Sequence, residues 1–149
     1  MRHIGYALVR DQTELKEAAK DIRDSGPLAL DIECDNGLHH YIKKVCLIQL
    51  ATRDSVYIVD PLSGIDLSPI GSIVEDENVE KIIHDSGFDI RVMERDFGWK
   101  TKNIFDTLIA ARICGHKSFG LSAMLEKFFN LKCSKKFQRA DWTVRPLKS

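Results

Sequence analysis

Short apolar blocks punctuate the first 84 residues, and helix-spaced apolar residues dominate after them. Residues 6–10 (YALVR) predict a strand. A helix follows over residues 14–24, where Leu15, Ala18, Ala19 and Ile22 share one face. Asp11 or Thr13 can cap its start, and Ser25-Gly26-Pro27 stops it. Three further strands are predicted over residues 28–33 (LALDIE), 45–51 (VCLIQLA) and 56–59 (VYIV), the last ended by Asp60-Pro61. Their linkers are short enough for antiparallel neighbours. Residues 70–74 suggest a short helix, and residues 79–84 (VEKIIH) another strand. Helices then take over. Residues 88–96 carry Ile90, Val92 and Met93 and close at Phe97-Gly98. Asp106 can cap a helix over residues 107–114 that Gly115 ends, and residues 121–129 (LSAMLEKFF) are amphipathic. From residue 132 to 149 the chain is basic and irregular. This order predicts an α/β layer architecture, with no repeat or linker to divide it.

A chain of 149 residues is long enough to bury a sizeable core without disulfides or structural metal. Its 44% hydrophobic and 30% charged residues read as an ordinary soluble globular protein. Lys+Arg and Asp+Glu both number 22, so bulk charge does not advertise a nucleic-acid binder. Cys34, Cys46, Cys114 and Cys133 form no C-x-x-C pair, which argues against a zinc ribbon or a thioredoxin-like motif. Scattered thiols, no apolar stretch at the N-terminus and no membrane-length run lead to the expectation of a cytoplasmic protein with no membrane partner.

Two places concentrate chemistry. Asp31 and Glu33 stand two apart in a strand, so both side chains leave one face while Leu28, Leu30 and Ile32 take the other. Paired like charges raise each other's pKa unless a cation neutralises them, and hard Mg²⁺ or Mn²⁺ prefers oxygen ligands. The alternative places both acids at the strand's solvated end. Asp89 lies in His84-Asp85-Ser86-Gly87-Phe88-Asp89, where a strand turns into a helix. Ligands gather at strand ends in α/β sheets; the alternative is that Asp85 or Asp89 caps the helix. Asp106 reads as an N-cap and is left off the metal ligands. His84 ends a strand with no partner that local sequence reveals. In the tail, Lys132, Lys135, Lys136, Arg139, Arg145 and Lys148 surround Phe137 and Trp142. They can track a single strand by charge and stacking, or the aromatics can pack on the body with the cations in solvent. His39-His40 and Lys43-Lys44 lie on the loop after the acidic strand, facing phosphate or solvent.

LALDIE, VCLIQLA and HDSGFDIRVMERDFG resemble the first two motifs of DEDD-superfamily 3′–5′ exonucleases. IFDTLIAARICG, GLSAMLEKFFNLK and especially DWTVRPL at residues 141–147 resemble the ribonuclease D branch. The similarity runs in order from about residue 6 to the last residue. It implies an RNase H-like fold: a mixed sheet, three antiparallel strands then parallel strands, flanked by helices. It implies a metal-dependent exonuclease whose catalytic and metal-holding residues are Asp31 and Glu33 from the first motif and Asp89 from the second. Asp31 takes the bridging role, Glu33 a place on the nucleophile-side ion, and Asp89 a mostly outer role. Mg²⁺ or Mn²⁺ is the implied cofactor, and the 3′ end of single-stranded RNA, favoured over DNA, the implied partner.

Relatives carry a third motif, Tyr-x-x-x-Asp, shortly after Arg-Pro-Leu. This sequence stops at Ser149, and Tyr41 and Tyr57 are followed at the required spacing by Val45 and Pro61. The expectation is an exonuclease domain over residues 1–149, truncated at its C-terminal end and weak or inactive for want of a fourth carboxylate. Two other classes stand beside it: a catalytically degenerate module that binds nucleic acid or protein, and a metal-free domain whose acids are incidental. Losing the third-motif helix should also bare apolar surface, so a homodimer is expected.

Overall fold

The computed structural model describes residues 5–35, 43–134, 136–137 and 140–146. His39, His40, Lys135, Arg139, Leu147 and Lys148, singled out above, lie outside the described residues. Strands β1 (Tyr6–Val9), β2 (Leu28–Cys34), β3 (Val45–Ala51), β4 (Val56–Val59), β5 (Lys81–Ile83) and β6 (Ile104–Asp106) form one sheet in the order β1-β4-β3-β2-β5-β6. β2, β3 and β4 are the antiparallel meander. β1 joins β4 in parallel, and β5 and β6 extend the other edge in parallel. The expected mixed sheet is therefore present. Two features escaped the local pattern: β6, only three residues long, and the parallel seat of β1 against β4. The strand expected over residues 79–84 shortens to Lys81–Ile83.

Helices α1 (Gln12–Asp24), α2 (Ser68–Val74) and α3 (Gly87–Phe97) contribute to the core. Asp11 caps α1 by accepting from the N–H groups of Thr13 and Glu14. Leu15, Ala18, Ala19 and Ile22 then pack with Leu28, Leu30 and Ile32 of β2 and with Ile48, Leu50 and Val59. Removing such apolar area from water is the main stabilising term. Lys81 is fully buried, and its Nζ donates to the carbonyls of Ile73, in the last turn of α2, and of Asp76, just beyond it. Trp99 lies flush on Gly71 of α2: a Cβ there would come within 2.4 Å of the indole Nε1.

The other side of the fold is barer. α4 (Thr107–Ile113) buries Ala111 alone, and α5 (Leu121–Phe129) buries no residue. Leu121, Phe128 and Phe129 of α5 are exposed, as are Phe105, Ile109 and Ile113.

Candidate active site

Alternation along β2 sends Leu28, Leu30 and Ile32 into the core and Asp31 and Glu33 to the less covered face. Cross-strand register continues that face as a row, Leu8 beside Ile58, Ile58 beside Gln49, and Gln49 beside Asp31. Gln49 is the lone polar residue of β3. Its amide Nε2 donates to Asp31 Oδ2 at 3.3 Å and to Glu33 Oε1 at 3.4 Å, so one neutral donor sits between the two acids. The sequence held that signal, a single glutamine in an apolar strand, but it passed unread.

Asp89 enters from the first turn of α3, just after the turn from β5. Asp85 holds a left-handed backbone there, with φ of 62°, and Ser86 occupies the cap position of α3. Neither Asp85 nor Asp89 is the cap. The turn is instead held by Asp106, which accepts from the Asp85 N–H (3.2 Å), the Ser86 N–H (2.8 Å) and the Ser86 hydroxyl (2.8 Å). Asp106 also caps α4, as expected, through the N–H groups of Leu108 and Ile109. Burial pulls its pKa up, but the bonds from Ser86, Ile109 and Asp85 prevail and carry it down to about 2. It is a committed anion that organises the turn.

The three candidate acids behave in the opposite way. Asp89 is only 8% exposed, and burial, then the fields of Asp31, Asp85, Glu33 and Asp106, push its pKa up to about 7. Burial followed by the Asp31 charge raises Glu33, against the pull of the Gln49 bond. Asp31 is exposed by surface area, yet flanking protein desolvates its carboxyl enough to raise the pKa against the Ile32 N–H bond and His84. Burial raises all three, and the Asp31 charge adds to Glu33 and Asp89, so the set is one that a cation would relieve. The donors are hard oxygens, which fits Mg²⁺ or Mn²⁺. Cys34, next to Glu33, is no thiolate competitor: burial first, then Cys46, Asp89 and Asp96, push its pKa up to about 12. Among the described residues, no three His, Cys, Asp or Glu side chains already converge as a closed metal shell. The acids are electrostatic neighbours that an ion would have to draw together.

A cavity of about 680 Å³ opens beside Glu33 and Gln49, walled by Leu8, Leu47 and Ile58 from the sheet and by Phe137, Trp142 and Pro146 from the tail. Arg145 fixes that tail. Its guanidinium donates to both oxygens of Asp60, at 2.5 and 2.8 Å, and to the Cys46 carbonyl at 2.9 Å. Arg145 is thus a clamp between tail and sheet, neither solvated nor free for phosphate. Trp142 packs partly on the body, whereas Lys132, Lys136 and Phe137 are exposed. Lys43 lies 5.8 Å from the Phe88 ring, one residue from Asp89, and Lys44 is exposed.

A mixed sheet with an acidic pair on its central strand and a third acid at the next strand's end is the architecture of a nuclease domain. Residues 6–149 match the family model described as 3′-5′ exonuclease, and the chain belongs to that family, in its ribonuclease D-like branch. It is 35% identical over 144 residues to the exosome complex exonuclease RRP6 of Saccharomyces cerevisiae, covering 93% of this chain and 19% of that protein. The crystal structure of Escherichia coli RNase D superposes with a TM-score of 0.89 at 31% identity, over 97% of this chain and 39% of that one. The catalytic core of RRP6 from Trypanosoma brucei gives 0.88 at 26% identity, over 99% and 41%. The chain thus spans about a fifth of the yeast relative's length. Exonucleases of this family depend on divalent metal ions.

Proposed function

We propose that this domain holds Mg²⁺ or Mn²⁺ through Asp31, Glu33 and Asp89 and removes nucleotides from the 3′ end of single-stranded RNA. The carrying observation is three acids whose pKa burial raises, two of them raised further by the Asp31 charge, with Glu33 lining the cavity. Such ions supply Lewis acidity and an activated water at a phosphodiester. The chain's own residues do the rest. Asp31 and Glu33 bind from one strand face, spaced by the Gln49 amide. Asp89 adds negative charge from the α3 turn. The cavity takes the strand's end, with Phe137 and Trp142 as stacking surfaces and Lys43, Lys132 and Lys136 as phosphate contacts. Similarity to ribonuclease D of Escherichia coli, described as an exoribonuclease, supports RNA as the substrate of this chain.

The lack of a preformed metal shell among the described residues supports a second reading, a binding module without turnover. Digestion of end-labelled single-stranded RNA and DNA with Mn²⁺, with Asp31→Ala as control, separates the two. Slow 3′-end trimming of RNA that Asp31→Ala abolishes supports the exonuclease. Tight binding of RNA without any trimming supports the module. The exposed apolar side chains of α4 and α5 are proposed to seat a second copy of the chain.

A further inference from the structure

His84 and Thr107 were left without roles by the acidic site, yet the fold brings both to it. The parallel register of β2 and β5 pairs Leu28 with Lys81 and Ala29 with Ile82. Carried two residues further, the same alternation sets His84 beside Asp31 on the less covered face. The imidazole is held from one side only. Its Nδ1 lies 2.8 Å from the Thr107 hydroxyl, and that hydroxyl lies 3.4 Å from the Ile83 carbonyl. A carbonyl oxygen can only accept. The bonding that satisfies both contacts therefore runs from Nδ1–H to the hydroxyl oxygen, and from the hydroxyl to Ile83. In the neutral ring Nε2 then carries the lone pair. It is buried and meets no hydrogen-bond partner among the described protein atoms. A buried acceptor without a partner is unfavourable unless something outside the chain fills the place. Thr107 is itself immobilised, because it follows Asp106, which caps α4 and clamps the Asp85–Ser86 turn.

We infer that Thr107 is a positioning residue of the acidic site: its hydroxyl accepts from Nδ1–H and fixes the His84 ring, with its unpartnered Nε2, beside Asp31. This rests on the metal-dependent reading proposed above, and it adds an imidazole to a site otherwise made of acids and the Gln49 amide. The order His-to-Thr across 23 residues carries no local pattern; the parallel seat of β6 against β5 creates it.

The test compares Thr107→Val, which keeps the branched shape and loses the hydroxyl, with Thr107→Ser, which keeps the hydroxyl and loses a methyl. Mn²⁺ affinity is measured by calorimetry, and the His84 tautomer by nitrogen NMR of the imidazole. The expected result is a loss of roughly tenfold in Mn²⁺ affinity for Thr107→Val, the size typical of outer-shell partners, with Thr107→Ser close to wild type. The Nδ1–H tautomer should dominate in wild type and Thr107→Ser and be lost to averaging in Thr107→Val. If wild type and Asp31→Ala both show no Mn²⁺ binding, the metal reading fails, and the tautomer result alone decides the inference. An unchanged tautomer in Thr107→Val, or a loss in Thr107→Ser that matches Thr107→Val, overturns it.

Discussion

Replacing Asp89 by asparagine should stabilise the metal-free domain at alkaline pH. In the folded chain its carboxyl sits at about 7 against 3.8 for the free group. The folded state therefore holds a proton that the unfolded state releases first, and stability falls as pH rises between those values. The penalty is absent below about pH 4, grows through the window and is complete above about pH 7. Taken at face value it reaches about 4 kcal/mol, at about 1.4 kcal/mol per tenfold. Solvent beside Asp31 screens the interaction, so about 2 kcal/mol is the reasonable figure. Asparagine keeps the shape and removes the charge. For a domain of this size about 2 kcal/mol corresponds to roughly 5 °C in melting temperature. The assay is thermal melting of wild type and Asp89→Asn after chelation, at pH 4.5 and pH 8. The variant should gain clearly more at pH 8 than at pH 4.5. Millimolar Mn²⁺ should then raise wild type more than the variant. An equal gain at both pH values would refute the electrostatic reasoning and assign the effect to packing.

Arg145→Ala should cost about 2 kcal/mol, since it leaves partly buried Asp60 without its two-pronged partner. The Arg145 bond, working against burial, holds the Asp60 pKa below its usual value. That stabilisation is present above the unfolded pKa and lost as pH falls through the folded one, so the difference in melting temperature should shrink in acid. A constant difference down to pH 2 would contradict it. Gly71→Ala forces a methyl to within 2.4 Å of the Trp99 indole and should destabilise by about 1–2 kcal/mol despite alanine's better helix propensity. Urea midpoints decide that case, and a more stable variant would show that Trp99 moves freely. Light scattering across a tenfold dilution tests the dimer: mass should rise above the 17.0 kDa monomer with concentration, and a constant monomer at high micromolar concentration would exclude it.

Local pattern was a good guide wherever one face of an element meets the core. The alternation in β2 placed Asp31 and Glu33 together on the right face, because a period of two leaves no other choice once Leu28, Leu30 and Ile32 are buried. The same logic found α1 and its Asp11 cap. It failed where partners are distant in sequence. β6 has three residues and exists through its register with β5, so Asp106 read only as a helix cap. Its second role, clamping Ser86, crosses 20 residues. Arg145 looked like a phosphate contact because a basic tail has no local sign of its ion pair with Asp60, 85 residues away. Gln49 needed the β2–β3 register to become the partner of Asp31.

Calorimetric titration of Mn²⁺ into the chelated domain, beside Asp31→Ala, tests the metal site most directly. Wild type should bind with modest affinity, and Asp31→Ala should show no binding. Equal isotherms for the two proteins, whether both bind or neither does, would contradict the assignment of Asp31, Glu33 and Asp89 as metal-holding residues.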